Sequence, residues 1–237
     1  MKRRNFLVAV ILAIIYPLIS KAASILDFFK AGKKKSPLPP EGKFTPVKEL
    51  YIVDIKGVPK EAKKIKENPS KYRLKIYGNV ENPLEITLDE LKSMPYDIRD
   101  VILECVSNPP GGTQIGRIRV KGVKLSYLLD KAGIKKGSID VVFKALDGYH
   151  TSVELEYVKQ YEPLVVYAIN HDEDGKILDD LTLDHGYPVR IICPEKWGYK
   201  SAKWVNKIKV VNYDYKGYWE SQGWSDRARY KIDYFDL

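Results

Sequence analysis

Short β-rich runs, each cut off by Gly, Pro, Asn or Asp before a helix can fit between them, decide the fold class of this 237-residue chain. Residues 139–146 and 149–155 read as the two strands of a hairpin over Asp147-Gly148, a pair that tolerates the positive φ such a turn requires. Further strands are expected over 50–55, 72–77 (closed by Gly78), 101–105, 164–169, 188–193 and 204–211. Helices are few and short. Thr87-Leu88-Asp89-Glu90 has the capping-box pattern, with Pro95 as the stop, and residues 125–132 form a helix closed by Gly133. Strands do not alternate with long helices and no internal repeat is present, so the expected class is α+β with a mixed sheet rather than a βαβ array.

Three stretches divide the chain. Lys2-Arg3-Arg4 precedes an apolar run over 6–19, and small residues follow at Ser20 and Ala22. This is the layout of a signal peptide over 1–22, or of an N-terminal anchor if it is not cleaved. Arg3-Arg4 followed by Phe6-Leu7 resembles the twin-arginine export signal. The expected location is therefore the periplasm or the outer face of the cytoplasmic membrane, with membrane contact only through an uncleaved leader. Residues 23–44, rich in Lys and Pro, read as a flexible linker, and 45–237 as one folded domain. The net charge of +9 is spread along the chain, with concentrations at 2–4, 33–35 and 60–75. It suits a solvated surface or a basic face holding an anionic cofactor, and no nucleic-acid partner is expected.

Several chemistries are excluded. There is no Gly-x-Gly-x-x-Gly, no Walker loop and no Gly-x-Ser-x-Gly elbow, and the three histidines and two cysteines lack zinc-site spacing. Residues 170–175 imitate a calcium loop, but Leu181 stands where the bidentate Glu is required, so an acidic turn is expected. Two clusters remain. In Leu103-Glu104-Cys105-Val106-Ser107-Asn108-Pro109-Pro110-Gly111-Gly112, a strand brings a cysteine to its end and Pro and Gly open a loop. That presents a soft thiolate, a ligand for a thiophilic metal rather than for calcium or magnesium. The second cluster runs from His185 to Lys203, where Arg190, Lys200 and Lys203 with a Gly-containing loop suit a phosphate.

These motifs, with residues 113–133 and the tail from Gly217 to Asp226, resemble the molybdopterin-binding domain of sulfite-oxidase-like enzymes. The resemblance is nearest to the exported bacterial and archaeal branch that includes the periplasmic methionine-sulfoxide reductase, and it runs from about Thr45 onward. It implies a sulfite-oxidase-type fold and a molybdenum–molybdopterin cofactor with Cys105 as the protein ligand to the metal. His185 would contact the pterin, Arg190 would bind the cofactor, and Ser201, Ala202 and Lys203 would wrap its phosphate end. Asp54 and Lys56 stand where the family has a Phe-Tyr-x-x-Asn-type contact. The threonine contact near Ala145 and the Cys-x-Gly-Asn-Arg pattern of animal and plant sulfite oxidases have no match, so the sulfite-binding arginine is missing. With the chain ending at Leu237, the family's immunoglobulin-like dimerisation domain is expected to be absent.

The implied function is oxygen-atom transfer or related redox chemistry on a small substrate: sulfite, a sulfoxide or an N-oxide. No Cys-x-x-Cys-His haem motif occurs, so electrons pass through a separate carrier, either a membrane cytochrome or a soluble protein. The alternative is an exported binding protein without catalysis, holding Cys105 and Cys193 in a disulfide. Cys193 otherwise reads as a small buried hydrophobe, and Tyr218, Trp219 and Trp224 as tail aromatics packed on the core.

Overall fold

The computed structural model describes residues 38–109, 111–178 and 180–229. The expected leader and most of the linker lie outside these residues. In chain order the elements are α1 (Lys60–Glu67), β1 (Leu74–Gly78), β2 (Leu84–Ile86), α2 (Leu88–Ser93), β3 (Asp97–Glu104), β4 (Ile115–Lys124), α3 (Leu125–Ala132), β5 (Asp140–Ala145), β6 (His150–Glu154), α4 (Leu155–Tyr161), β7 (Leu164–Ile169), β8 (Arg190–Ile192) and β9 (Val205–Val211).

The strands form two sheets. One has five strands in the order β2-β1-β9-β5-β6, antiparallel except for the parallel pair β1/β9. The other has four antiparallel strands in the order β3-β4-β7-β8. This is the expected mixed α+β class. One apolar cluster joins the sheets: Leu74, Ile76, Val141, Phe143 and Ile208 of the first meet Ile118, Val120, Val165 and Ile191 of the second. All six residues of β7 are buried, which accounts for its unbroken apolar run.

Local chemistry fixes the parts that frame the site. Thr87 and Glu90 exchange the two bonds of the capping box, and α2 stops before Pro95. Gly133, at φ 66°, closes α3. The β5–β6 hairpin forms over Asp147-Gly148, and Asp172 accepts from the backbone N–H of Asp174 and Lys176 in the acidic turn.

Two expectations are corrected, and two elements were not foreseen. Residues 50–55 form no strand: Leu50 donates its N–H to Pro46 O in a local turn, and the Asp54 side chain accepts from Gly57 N. β4, the longest strand, is not foreseen: Arg117, Arg119 and Lys121 alternate with the inward Ile118 and Val120. The Lys60–Glu67 charge run is helix α1, with Ala62 as its buried residue. Phe44, placed at the end of the linker, is 4% exposed and stacks under the Arg119 guanidinium, so packing begins before Thr45. Among the described residues no helix is long and apolar enough to cross a membrane.

Candidate functional site

β3 ends at Glu104, and Cys105 follows, 6% exposed, where the chain turns out of the sheet. Asn108 staples this turn. Its N–H donates to Cys105 O (2.9 Å), its amide donates to Glu104 Oε1 (2.9 Å), and its side-chain oxygen accepts from Gln114 N (2.8 Å). The Cys105 Sγ lies 3.1 Å from Ser107 Oγ, which donates to Gln114 Oε1 at 2.6 Å. With the hydroxyl proton of Ser107 so engaged, the neutral thiol is the donor to that oxygen. Burial raises the Cys105 thiol above its ordinary pKa, more than Ser107 lowers it. A bound metal cation would reverse that balance in favour of the thiolate.

The thiol opens into a cleft where charged, polar and aromatic side chains converge. Tyr51, Val53, Asp54, Asp147, His185, Arg190, Ser201, Ala202 and Lys203 line it with Cys105, and Tyr149, Tyr199, Trp204, Trp219 and Trp224 add an aromatic wall. Gly198 lets the 3-10 turn Gly198–Lys200 sit against the end of β3, since a Cβ there would meet Glu104 O and Tyr51 Oη at 3.0 Å.

Arg190 is 3% exposed; its Nη1 and Nη2 donate to His185 O and Ser201 O, each at 3.2 Å. Its Nε has no partner among the described residues, an orphaned donor beside the cleft. Burial lowers Arg190 to about 10, which leaves it protonated at neutral pH. Lys203, lowered to about 8 by burial against the pull of Asp54, lies 3.6 Å from Asp54 Oδ2 and donates to Asp184 O at 3.0 Å. Burial, then Arg190 and Lys203, push His185 down to about 3, so it is neutral. Its Nε2 is 3.1 Å from Val47 O, an acceptor only, so Nε2 carries the proton and Nδ1 is left as an acceptor.

The structure thus brings Cys105, His185, Arg190, Ser201, Ala202, Lys203 and Asp54 together and leaves two expected residues out. Lys56 is exposed and does not line the cleft. Lys200 is fully buried with its ammonium committed to Glu220 Oε1 (2.6 Å), Asp226 Oδ1 (2.9 Å) and Ser152 O (3.0 Å). Its charge goes to the tail that carries Trp219 and Trp224, not to the cleft. Sequence reasoning missed Asp147, Tyr149 and Trp204 in the lining, and it placed Trp219 and Trp224 on the core. A Trp pair in a polar tail was the available signal.

Both cysteines are free, and Cys193 is buried with its Sγ 3.4 Å from Lys200 O. The disulfide of the alternative reading is not formed. The family model described as "Oxidoreductase molybdopterin binding domain" matches residues 59–219. The chain belongs to this family. Among the relatives of this molybdopterin-binding oxidoreductase is the uncharacterized oxidoreductase YuiH of Bacillus subtilis, 29% identical over 163 residues, covering 68% of this chain and 76% of that one. Another is the protein-methionine-sulfoxide reductase catalytic subunit MsrP of Campylobacter jejuni, 27% identical over 176 residues, 69% of this chain and 57% of that one. Among solved structures, the sulfane dehydrogenase SoxCD from Paracoccus pantotrophus superposes with a TM-score of 0.61 at 26% identity, over 73% of this chain and 45% of that one. The chain therefore spans only about half of the last two. The protein is an oxidoreductase of sulfite-oxidase-type fold, with molybdopterin as its cofactor. The cleft fits such a group: a thiol at one wall, two protonated side chains, and a buried Arg190 Nε with no partner among the described residues.

Proposed function

We propose that the protein catalyses oxygen-atom transfer or a related two-electron reaction on a small substrate, with Cys105 as the protein ligand to molybdenum. The observation that carries this is the placement of the Cys105 thiol at the end of β3, in one cleft with Arg190, its unpartnered Nε, and Lys203. When bound, the molybdenum cofactor supplies the redox chemistry, and the protein holds and tunes it.

Each side chain has a separate task. Cys105 offers a soft sulfur donor, which Asn108 and Gln114 fix by tying down the loop around it. Arg190 and Lys203, with Ser201 and Ala202 between them in the lining, suit the anionic phosphate end. Neutral His185 presents Nδ1 as an acceptor, suited to an N–H of the pterin, and Asp54 holds Lys203 in place. Arg190 and Lys203 are the cations among the described residues lining the cleft. With both assigned to the cofactor, no arginine is left over for sulfite. Sulfoxides and N-oxides, neutral at the transferred oxygen, match the aromatic wall of Tyr149, Tyr199, Trp219 and Trp224 better.

The N-terminal pattern around Arg3-Arg4 supports export of the folded, loaded protein, and the lack of a haem motif supports a separate electron carrier. The test of the central reading is metal and pterin analysis of protein made in a molybdenum-replete host, with thiols counted under denaturing conditions. Stoichiometric molybdenum and two free thiols are expected. A metal-free protein with a disulfide would return the alternative, a binding protein without catalysis.

A further inference from the structure

The strand register places three lysines in one row. Lys75 on β1 stands directly opposite Lys207 on β9, and Lys207 directly opposite Lys144 on β5. Residues paired in this way project from the same face, their Cβ atoms about 5 Å apart, and like charges so placed destabilise a sheet. Lys209, two residues beyond Lys207, shares the face and lies across from Tyr77. Glu85 ends the row on β2, 3.0 Å from Lys75, and His150 continues it on β6. Among the described residues, Lys144, Lys207 and Lys209 have no ion-pair partner, and Lys207 is exposed.

Nothing in folding requires this row, which costs stability where it stands. Tyrosines border it: Tyr77 on β1, Tyr215 with its hydroxyl 3.0 Å from His150 Nδ1, and Tyr213, 49% exposed. A continuous positive row bordered by tyrosines, with few other apolar side chains exposed, suits a partner of complementary negative charge rather than a membrane-inserting face. The row also adjoins the site. His150 follows the cleft residue Tyr149, and Lys207 lies three residues along the chain from the cleft residue Trp204, roughly 10 Å at strand spacing.

We infer that this outer sheet face, centred on Lys75, Lys144 and Lys207, is the docking surface for an acidic redox protein that exchanges electrons with the site. The inference rests on the molybdenum reading above and names the kind of partner it needs. Complementary charge at such a face acts mainly on encounter and orientation, and it weakens with salt.

The test uses the full chain and an oxidised, acidic two-iron ferredoxin as the probe, with binding followed at low salt. Reversing the row (Lys75→Glu, Lys144→Glu, Lys207→Glu) is expected to weaken binding about ten-fold or more, a difference that collapses near 0.5 M salt. Reversing three exposed lysines elsewhere (Lys63→Glu, Lys64→Glu, Lys136→Glu) should change it less than about two-fold. Lys207→Gln, which relieves the repulsion, should raise the melting temperature by roughly 1–3 °C. Equal ferredoxin binding by the two triple variants overturns the inference. So does a reversal that abolishes binding to phosphatidylglycerol–phosphatidylcholine vesicles while leaving ferredoxin binding intact. Row-dependent docking in a chain that holds no molybdenum would count against the functional reading and leave the surface standing. Molybdenum-loaded chain without row-dependent docking would do the reverse.

Discussion

Lys200 offers a direct contrast between a cation that holds the fold and one proposed to hold a cofactor. Its side chain and that of Glu220 are both fully buried, 2.6 Å apart, and Asp226 takes a second bond at 2.9 Å. Burial alone would raise the Asp226 carboxyl, but Lys200 and Lys216 override it and hold it below the ordinary carboxylate value. Lys200→Met fills the same space and leaves Glu220, whose Oε2 already lacks a partner, as an uncompensated buried charge. Breaking a buried pair in this way costs about 3–5 kcal/mol. For a chain of this length that lowers the melting temperature by roughly 6–20 °C. Adding Glu220→Leu removes the orphaned charge and should recover most of the loss, with Asp226 still paired to Lys216 at 2.8 Å. Denaturation scans of wild type, the single variant and the double variant read this out, together with cofactor content after purification in the cold. A single variant melting within about 2 °C of wild type would refute the ion-pair account. A cofactor loss equal to that of an Arg190 variant would put Lys200 back in the phosphate site.

Arg190→Ala removes a charge-assisted donor of about 1.5–3 kcal/mol, so cofactor retention should fall roughly ten- to hundred-fold, and full pterin occupancy in the purified variant would remove Arg190 from the site. His185, held at about 3 in the fold against about 6.5 when unfolded, binds its proton more readily in the unfolded chain. Its contribution to stability is therefore complete above pH 6.5 and is lost as pH falls toward 3, by about 1.4 kcal/mol per unit. Unfolding midpoints at pH 7 and 5 should separate less in His185→Gln than in wild type, and equal separations would show that His185 is not the group titrating.

What the sequence disclosed follows from how local each signal is. The Asp147-Gly148 hairpin, the Thr87 capping box and the all-apolar β7 are written in adjacent residues, and each forms as expected. β4 was hidden because its outward positions carry Arg117, Arg119 and Lys121, and because Gly122 marks a bulge where a Cβ would strike Val165 O. Residues 50–55 have strand composition, but the Leu50 N–H goes to Pro46 O and the Asp54 side chain to the Gly57 N–H, local turns invisible in a hydropathy pattern. In the site, the run from Cys105 to Asn108 was readable because the strand end and the loop-forming residues sit side by side. Lys200 and Lys203 look equivalent in sequence. Only the fold brings Glu220 and Asp226 to one and leaves the other at the cleft.

The central claim is that the Cys105 sulfur is bonded to molybdenum, and counting sulfur ligands by X-ray absorption at the molybdenum edge tests it most directly. Cys105 and Cys193 are both buried free thiols, but only Cys105 lines the cleft, so Cys193→Ser serves as the matched control. In protein with equal pterin content, Cys105→Ser should lose one sulfur neighbour and gain an oxygen, a harder donor, while Cys193→Ser keeps the wild-type count. Turnover should vanish only in the first variant. An unchanged sulfur count in Cys105→Ser, or the same loss in both variants, would contradict the assignment.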